Sequence, residues 1–376
     1  MSPSTSSILC PFVPNGKRHE RRFQVCRIGS HLNHHPIVAI GAQGDHYDIC
    51  HALGTASGRA VRERVFVTTE FQELTARWRG STRLEQLEAA ARGAFPTIVR
   101  ELEGMAAGAV LDFETLFLWN CRGDLCLPPD GAEAEGCTCV LHPGDRAGTP
   151  GVIAHNEDGA PEFLGHCYWV RVEPTTGPHF ESFMYPGMLP GHTFGANDRG
   201  LVQTINNIRV HDLHPGVPRQ VITRAILSCD DLDSALTLLR RRDRASGFHH
   251  ALGDARNGRI VSVEAPASGC HVEPADRPIG HANHLVYPMF HGAAQEITRS
   301  SSDRQRFVDQ SGVDPKDPEA VLFDRTVPVY RASDRGDDYS QTLATGVFHL
   351  SADRVAWTVH ASPDETGTLN GAFNLS

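Results

Sequence analysis

Apolar positions divide this chain into a helical first part and a strand-rich second part. Leu84, Leu87, Ala91, Phe95, Ile98 and Leu102 recur at spacings of three and four, the stripe of one helix face. Thr82 with Glu85 makes a capping-box pattern ahead of that stripe, and Pro96 is expected to bend the helix. The helical block extends from about Tyr47 to Cys121, with a shorter helix after Asp112 and a short apolar strand, Ile37 to Ile40, ahead of it. Residues 122–150 are rich in Gly, Pro, Asp and Cys and read as loop. From Gly151 onward, segments 151–155, 165–173, 180–185, 201–206, 248–253, 258–264 and 343–359 are β-branched or aromatic and bounded by turn residues. A helical pair interrupts them. Val221, Ile222, Ala225 and Ile226 form its first stripe; Leu232, Ala235, Leu236 and Leu239 form its second, opened by Asp231 as N-cap. A further helix is expected near Ser301 to Gln310. Helices followed by many strands predict an α+β layered fold. Residues 1–35 lack a period and read as an N-terminal extension.

With 376 residues, 40% hydrophobic and 21% charged, the chain has an ordinary globular composition and can bury a core without disulfide or metal staples. No apolar run reaches the length of a membrane span. The segment Met1 to Pro14 has no basic lead into its short, proline-broken apolar stretch, so no signal peptide is expected and the location reads as cytoplasmic. The formal charge of -10 argues against nucleic acid as a partner, since phosphate binding needs a basic face. The ten cysteines are scattered with no C-x-x-C pair, which predicts reduced, mostly buried thiols. The 21 histidines include no H-E-x-x-H, and no metal or other cofactor is expected.

Two Gly-Cys dipeptides occur, Gly136-Cys137 and Gly269-Cys270. Cys137 stands at the junction between the helical block and the first strands. Downstream of it Gly151 to Asp158 reads as a strand ending in polar residues, which can return Asp158 to the side of Cys137. Cys270 has no such strand behind it. A thiol is a weak nucleophile until a base takes its proton. Breaking the peptide bond before Cys137 gives that residue a free α-amine, whose pKa near ~8 in peptides suits the task. A carboxylate such as Asp158 can then hold the amine. Glycine before the nucleophile lets the backbone adopt a strained conformation for attack on its own carbonyl.

These residues stand in a recognisable order. Gly44-Asp45-His46-Tyr47-Asp48-Ile49 with His51-Ala52-Leu53-Gly54, Asn120-Cys121-Arg122, Gly136-Cys137-Thr138, Asn156-Glu157-Asp158, Gly200 to Asn206, His281-Ala282-Asn283-His284 and Ser301 to Arg306 follow one another from about Ile37 to Val359. Together they resemble the isopenicillin-N acyltransferase family of N-terminal-nucleophile (Ntn) hydrolases, which includes the β-alanyl-dopamine hydrolases. The resemblance implies an αββα sandwich, two antiparallel sheets between helical layers. It implies a zymogen cut autocatalytically between Gly136 and Cys137. The products are a helical portion, residues 36–136 behind the extension, and a strand-rich portion, residues 137–376, held together as an α/β heterodimer. It assigns Cys137 as nucleophile, Asp158 as partner of its amine, and Asn283 as oxyanion-hole donor, with Asn206 as a second residue for that region. The sequence departs from the family pattern in the unusual, cysteine-rich loop before Gly136 and in two further places. Tyr339 and Ser340 stand where an arginine often precedes the late Thr342-Leu343 strand, and Glu157 replaces an aromatic residue.

Asn156, His281, His284 and Arg122 are further expectations for substrate contact. The two histidines also read as structural or pocket-lining, and Arg122 also reads as a partner for a carboxylate across the junction. The expected reaction is hydrolysis of a small linear amide, an N-acyl amine or a β-alanyl-type amide, through an acyl-thioester on Cys137. Transfer from or to an acyl-CoA uses the same nucleophile and stays open, as does a binding protein of the same fold that does not cleave. A histidine-based metal enzyme is the third reading.

Overall fold

The computed structural model describes residues 23–27, 37–125, 136–145, 148–327, 329–332, 340–363 and 368–375. Expectations for Met1 to Pro14, for most of the extension and for the cysteine-rich loop before Gly136 lie outside the described residues. The helices are α1 (His46–Ala60), α2 (Thr69–Trp78), α3 (Thr82–Ala94), α4 (Pro96–Ala109), α5 (Phe113–Asn120), α6 (Arg122–Leu125), α7 (Arg219–Ile226), α8 (Leu232–Leu239), α9 (Arg299–Ser311) and α10 (Glu319–Leu322). The strands are β1 (Phe23–Arg27), β2 (Val38–Gly44), β3 (Thr138–His142), β4 (Gly151–Gly159), β5 (Tyr168–Pro174), β6 (Phe180–Met184), β7 (Phe194–Asn197), β8 (Leu201–Asn207), β9 (Phe248–Asp254), β10 (Arg259–Ala265), β11 (His271–Pro274), β12 (Ile279–His281), β13 (Gln341–Ser351), β14 (Arg354–His360) and β15 (Leu369–Asn374).

Local chemistry explains most boundaries. Side-chain oxygens of Asp45, Thr68, Ser81, Asp112, Asp231 and Thr298 each accept from a backbone N–H in the first turn of the helix that follows. Ser81, not Thr82, is the cap of α3. Pro96 does more than bend the helix. Phe95 leaves helical geometry, at φ -139 and ψ 61, and α4 starts anew with the proline in its first turn.

The strands form a nine-stranded sheet, β1-β2-β5-β6-β7-β8-β9-β10-β11, and a six-stranded sheet, β12-β3-β4-β13-β14-β15. Pairing is antiparallel throughout except for β2 with β5, which run parallel, so the larger sheet is not wholly antiparallel. The sheets face each other through β3 and β4 against β8, β9 and β10. Helices α1 and α8 cover the outer face of the larger sheet, with α4 on α1; α9 and α10 cover the smaller. The result is an αββα sandwich with its main core between and above the larger sheet.

The α1–α4 contact is close because glycines line it. A Cβ on Gly54 would lie 2.1 Å from the Met105 carbonyl oxygen, and one on Gly108 would lie 1.9 Å from that of His51. Glu101 on α4 accepts two bonds from the buried Arg224 guanidinium on α7, at 2.8 and 2.7 Å, and so ties the first part of the chain to the second.

Three expectations change here. The stretch 122–150 is not all loop, since β3 lies within it and carries the residues after Gly136. Segment 343–359 is a hairpin of β13 and β14 rather than one strand. Part of the supposed extension is β1, the edge of the larger sheet. Among the described residues the cysteine thiols are free, with Cys270 half-buried and the others buried, and no helix is long and apolar enough to cross a membrane.

Candidate active site

The β3/β4 register sets the site. Thr138 lies opposite Asn156. One step toward the Gly136–Cys137 link, the antiparallel pattern brings Cys137 across from Glu157. The buried Cys137 thiol lies 3.6 Å from Glu157 Oε2. The carboxylate beside the sulfur is therefore Glu157, and Asp158 sits one position further along β4, level with Gly136.

Asp158 is fully buried. Its Oδ1 accepts from Thr342 Oγ1 at 2.7 Å, and Arg331 Nε lies 3.4 Å from its Oδ2. That Oδ2 accepts no hydrogen bond among the described residues. Burial pushes the Asp158 carboxyl up to about 7, with Arg331, Arg304 and the Thr342 hydroxyl pulling the other way. The arginine missing before the late strand is thus supplied from further back. Thr342 N–H donates to the Arg331 carbonyl and Arg331 N–H to Thr342 Oγ1, so the segment folds back beside β13. A bulge in β13 between Thr342 and Ala344, facing Asp158 and Glu157, goes with this junction.

The raised Asp158 value fixes a pH dependence. The fold favours the neutral form, so this group's contribution is complete below its unfolded value near ~4 and is lost as pH rises through about 7. Uncut Cys137→Ala protein should unfold at a lower temperature near pH ~8 than near pH ~5, and Asp158→Asn should narrow that gap. A gap of unchanged width in thermal melts removes Asp158 as its source.

Arg304 on α9 is the second organiser. It is buried, and its Nη1 donates to the Cys137 carbonyl oxygen and, at 2.9 Å, to Thr138 Oγ1. Nη2 donates to Asn283 Oδ1 at 2.6 Å. Burial and the neighbouring Arg331 lower its pKa to about 10, against the pull of Asp158 and Cys137, which leaves it a cation at neutral pH.

Gly136 is explained by this guanidinium. Its φ lies outside the left-handed region, so backbone freedom is not what its place requires. An added Cβ would lie 2.5 Å from Arg304 Nη2 and 3.2 Å from Asn283 Oδ1. Gly136→Ala should displace the guanidinium. At the ~1–3 kcal/mol typical of overpacking, any scission at this bond slows roughly ten- to hundredfold. Gel analysis of freshly made protein measures this, and an unchanged rate excludes close packing as the reason for glycine.

Asn283 adjoins Gly136. The loop that carries it is anchored on several sides. Ala282 N–H donates to Gln305 Oε1 and Asn283 N–H to Ser301 Oγ, both at 2.9 Å. Val286 and Tyr287 donate to the buried Glu264. Asn283 Nδ2 donates to the Asn207 carbonyl at 3.0 Å, leaving its second N–H for another acceptor. Asn206 has a different place. Its Nδ2 donates to the His281 and Ala282 carbonyls at 2.7 and 2.9 Å and lies 3.5 Å from the Cys137 carbonyl, so it ties the loop to the backbone at Cys137.

The other expected contact residues are not gathered at the thiol. Asn156 donates to the Leu322 and Val329 carbonyls and accepts from Thr345. It so holds the segment leading to Arg331 against β4 and β13. His281 lies between Glu264, at 2.9 Å, and the Ala282 carbonyl, and stacks on His249 at 3.5 Å. His284 meets Ser301 Oγ at 2.8 Å. Arg122 lies over the Trp119 ring and donates to Met188 Sδ, so it bridges the two parts of the chain.

Sequence reasoning did not single out Glu157, His155, Tyr185, Arg304 or Arg331. Glu157 Oε1 accepts from Tyr185 OH at 2.6 Å, and its Oε2 lies 3.0 Å from His155 Nε2. Its charge where the family pattern carries an aromatic residue was the available signal; Arg304 was signalled by Ser301-x-x-Arg304. Donor atoms of Cys137, His155 and Glu157 lie within 4.8 Å of one another, a donor set that zinc accepts.

Comparison with known proteins places the chain in a family. Residues 145–365 match the model of the acyl-coenzyme A:6-aminopenicillanic acid acyl-transferase family. A Drosophila melanogaster protein named beta-alanyl-dopamine/carcinine hydrolase is 27% identical over 369 residues, 88% of this chain and 94% of that protein. A conjugated bile acid hydrolase variant from Clostridium perfringens superposes with a TM-score of 0.43 at 10% identity, over 63% of this chain and 92% of its own. Penicillin V acylase from Agrobacterium tumefaciens gives 0.39 at 12%, over 61% and 84%. The chain is an enzyme of the acyl-coenzyme A:6-aminopenicillanic acid acyl-transferase family.

Proposed function

We propose that the chain is a self-cleaving thiol amidohydrolase that acts on a small linear amide, of the kind the fly relative's name describes, through an acyl-thioester on Cys137. One observation carries the reading. The Gly136–Cys137 link lies between Arg304 and Asn283, and the β3/β4 register sets level with it a buried Asp158 whose Oδ2 accepts no hydrogen bond among the described residues. A carboxylate oxygen without a donor is costly when buried, and a new α-amine on Cys137 supplies one.

Maturation then runs in two steps. Cys137 Sγ attacks the Gly136 carbonyl carbon; the C–N bond breaks, and the amine leaves with the thiol's proton. Water hydrolyses the thioester and restores the thiol, leaving a carboxylate on Gly136. In turnover the α-amine, with a pKa near ~8, takes the thiol proton. The thiolate attacks the substrate carbonyl, and the oxyanion meets the free N–H of Asn283, a contact whose loss typically costs roughly a hundredfold or more. The amine product leaves with the proton from the α-ammonium. Water, deprotonated by the α-amine, then cleaves the thioester and releases the acid.

Hydrolysis leads over transfer because water needs no second binding site, and no acyl-CoA is required. Cleavage gives chains of residues 1–136 and 137–376 that stay together, with residues 36–136 as the helical portion. Cytoplasmic residence fits the free thiols. The test is intact mass of purified protein, before and after incubation with acyl amides and acyl-CoA esters. A chain beginning at Cys137 that gains the acyl mass supports the reading. One full-length, unmodified species that turns over substrate refutes it.

A further inference from the structure

Three metal-binding side chains converge on one face of the smaller sheet. His155 and Glu157 stand two positions apart on β4 and so project to the same side. The β3/β4 register sets Cys137 across from Glu157. The result is a sulfur, an imidazole nitrogen and a carboxylate oxygen, on three buried residues, within 4.8 Å of one another. Glu157 Oε2 lies 3.6 Å from Cys137 Sγ and 3.0 Å from His155 Nε2. A tetrahedral zinc ion, with bonds of about 2.3 Å to sulfur and about 2.0–2.1 Å to nitrogen and oxygen, sets its ligand atoms roughly 3.3–3.6 Å apart. Both spacings at Glu157 are close to that range.

The carboxylate is turned for this task. Tyr185 OH donates to Glu157 Oε1 at 2.6 Å, which leaves Oε2 toward the sulfur and the ring. A hydrogen bond of this kind orients a ligating carboxylate. Thiolate and carboxylate together cancel the charge of a divalent ion, and sulfur favours zinc over the hard cations magnesium and calcium. Cys137 and Glu157 keep 5% and 6% exposure where His155 has none, so an ion enters beside the sulfur.

The imidazole shows what kind of site this is. A histidine that holds a resident metal passes its other N–H to an acceptor, and loss of such a partner typically costs ~10–100-fold in affinity. His155 Nδ1 has no hydrogen-bond partner among the described residues. The ion is therefore held in exchange with solution rather than built in.

We infer that Cys137, His155 and Glu157 form a reversible zinc site that silences the thiol. On binding, Cys137 Sγ gives its proton to water and bonds to the ion. His155 binds through Nε2 with its hydrogen on Nδ1, Glu157 binds through Oε2, and water takes the fourth position. A sulfur whose lone pair and line of approach are taken up by zinc attacks neither the Gly136 carbonyl nor a substrate. Zinc thus arrests turnover, and its removal restores it. The site itself does not depend on Cys137 being the nucleophile; its effect on activity rests on that reading.

The test titrates wild-type protein, stripped with a chelator, with zinc against a chromophoric competitor. It should take up one equivalent that Cys137→Ala lacks. His155→Gln keeps an N–H for Glu157 and removes the imidazole. Since loss of an orienting partner alone costs ~10–100-fold, this loss of a ligand should weaken zinc by at least roughly tenfold. Cobalt bound in place of zinc should show a thiolate charge-transfer band and the intense visible bands of a four-coordinate ion, both absent from Cys137→Ala. Should a variant fail to fold, wild type alone decides. Zinc, and not magnesium, should protect Cys137 from iodoacetamide, read by peptide mass, and chelator should lift the protection. Amide hydrolysis should fall and recover in step.

Equal zinc uptake by wild type and Cys137→Ala, with Cys137 alkylated at its usual rate in zinc, overturns the inference and leaves the thiol reading intact. Zinc bound at Cys137 with turnover undiminished overturns the silencing and the thiol reading with it. Turnover that chelator abolishes and zinc restores also overturns the inference, since the ion then serves the reaction instead of blocking it.

Discussion

Cys137→Ala should yield one full-length chain and no turnover. On the proposed mechanism the substitution removes the sulfur that attacks the Gly136 carbonyl and carries the acyl group. Both activities therefore vanish together, even though the fold has little reason to change. Sγ is a small buried group with a weak bond to Glu157. Removing a nucleophile that works in concert with its base typically costs about 10⁴-fold or more in kcat. Cys137→Ser should cut slowly and turn over poorly, since a hydroxyl yields its proton less readily than a thiol. Denaturing gels, intact mass and an amide hydrolysis assay measure the three properties on one preparation. Two chains from Cys137→Ala, or full activity from a preparation whose Gly136–Cys137 link is whole, refutes the scheme.

Arg304→Lys should be nearly as damaging to maturation, for a geometric reason. The guanidinium joins three acceptors: the Cys137 carbonyl, Thr138 Oγ1 and Asn283 Oδ1. An ammonium is a point charge without that fork. Charge is kept, so any loss reports the lost arrangement. Scission should slow by at least about a hundredfold, because a misplaced reacting group far from ideal geometry costs on that order. The protein should remain folded by circular dichroism, with the Asp158 and Arg331 contacts in place on the neighbouring strands. Wild-type scission in Arg304→Lys shows that the clamp does not align the bond.

Much of the framework was legible from periodicity. The stripe through Leu84 and Leu102, the N-cap at Asp231 and the hydrophobic strands after Gly151 are local signals, set by one face meeting the core. The misreadings have local physical causes too. Pro96 restarts a helix because Phe95 can leave the helical region just before it. β3 was concealed because its few residues follow a Gly- and Cys-rich stretch. The hairpin of β13 and β14 is joined by a short turn at Ala352-Asp353, with no glycine to mark it.

The site was legible in its order along the chain and not in its contacts. Cys137, Asp158 and Asn283 stand in motifs that can be read one after another. The hydrogen bonds of Arg304 and the approach of Arg331 to Thr342 span long intervals of sequence, and only folding brings these residues together. Glu157 shows the difference well. In the sequence it departs from a motif; in the structure it is the residue facing the sulfur, because strand alternation and the β3/β4 register put it there.

The placement of β2 bears on what the proposed scission would release. β2 lies inside the larger sheet, parallel to β5, and its chain continues into α1 over the main core. The residues ahead of Gly136 are thus woven into the sheet, and the proposed cut would free nothing to diffuse away. The precursor folds by a unimolecular process. A mature molecule that is fully denatured becomes two polymers, and recovery of the sheet then depends on their meeting. Refolding of precursor should be independent of dilution, and that of mature enzyme should fail as the solution is thinned.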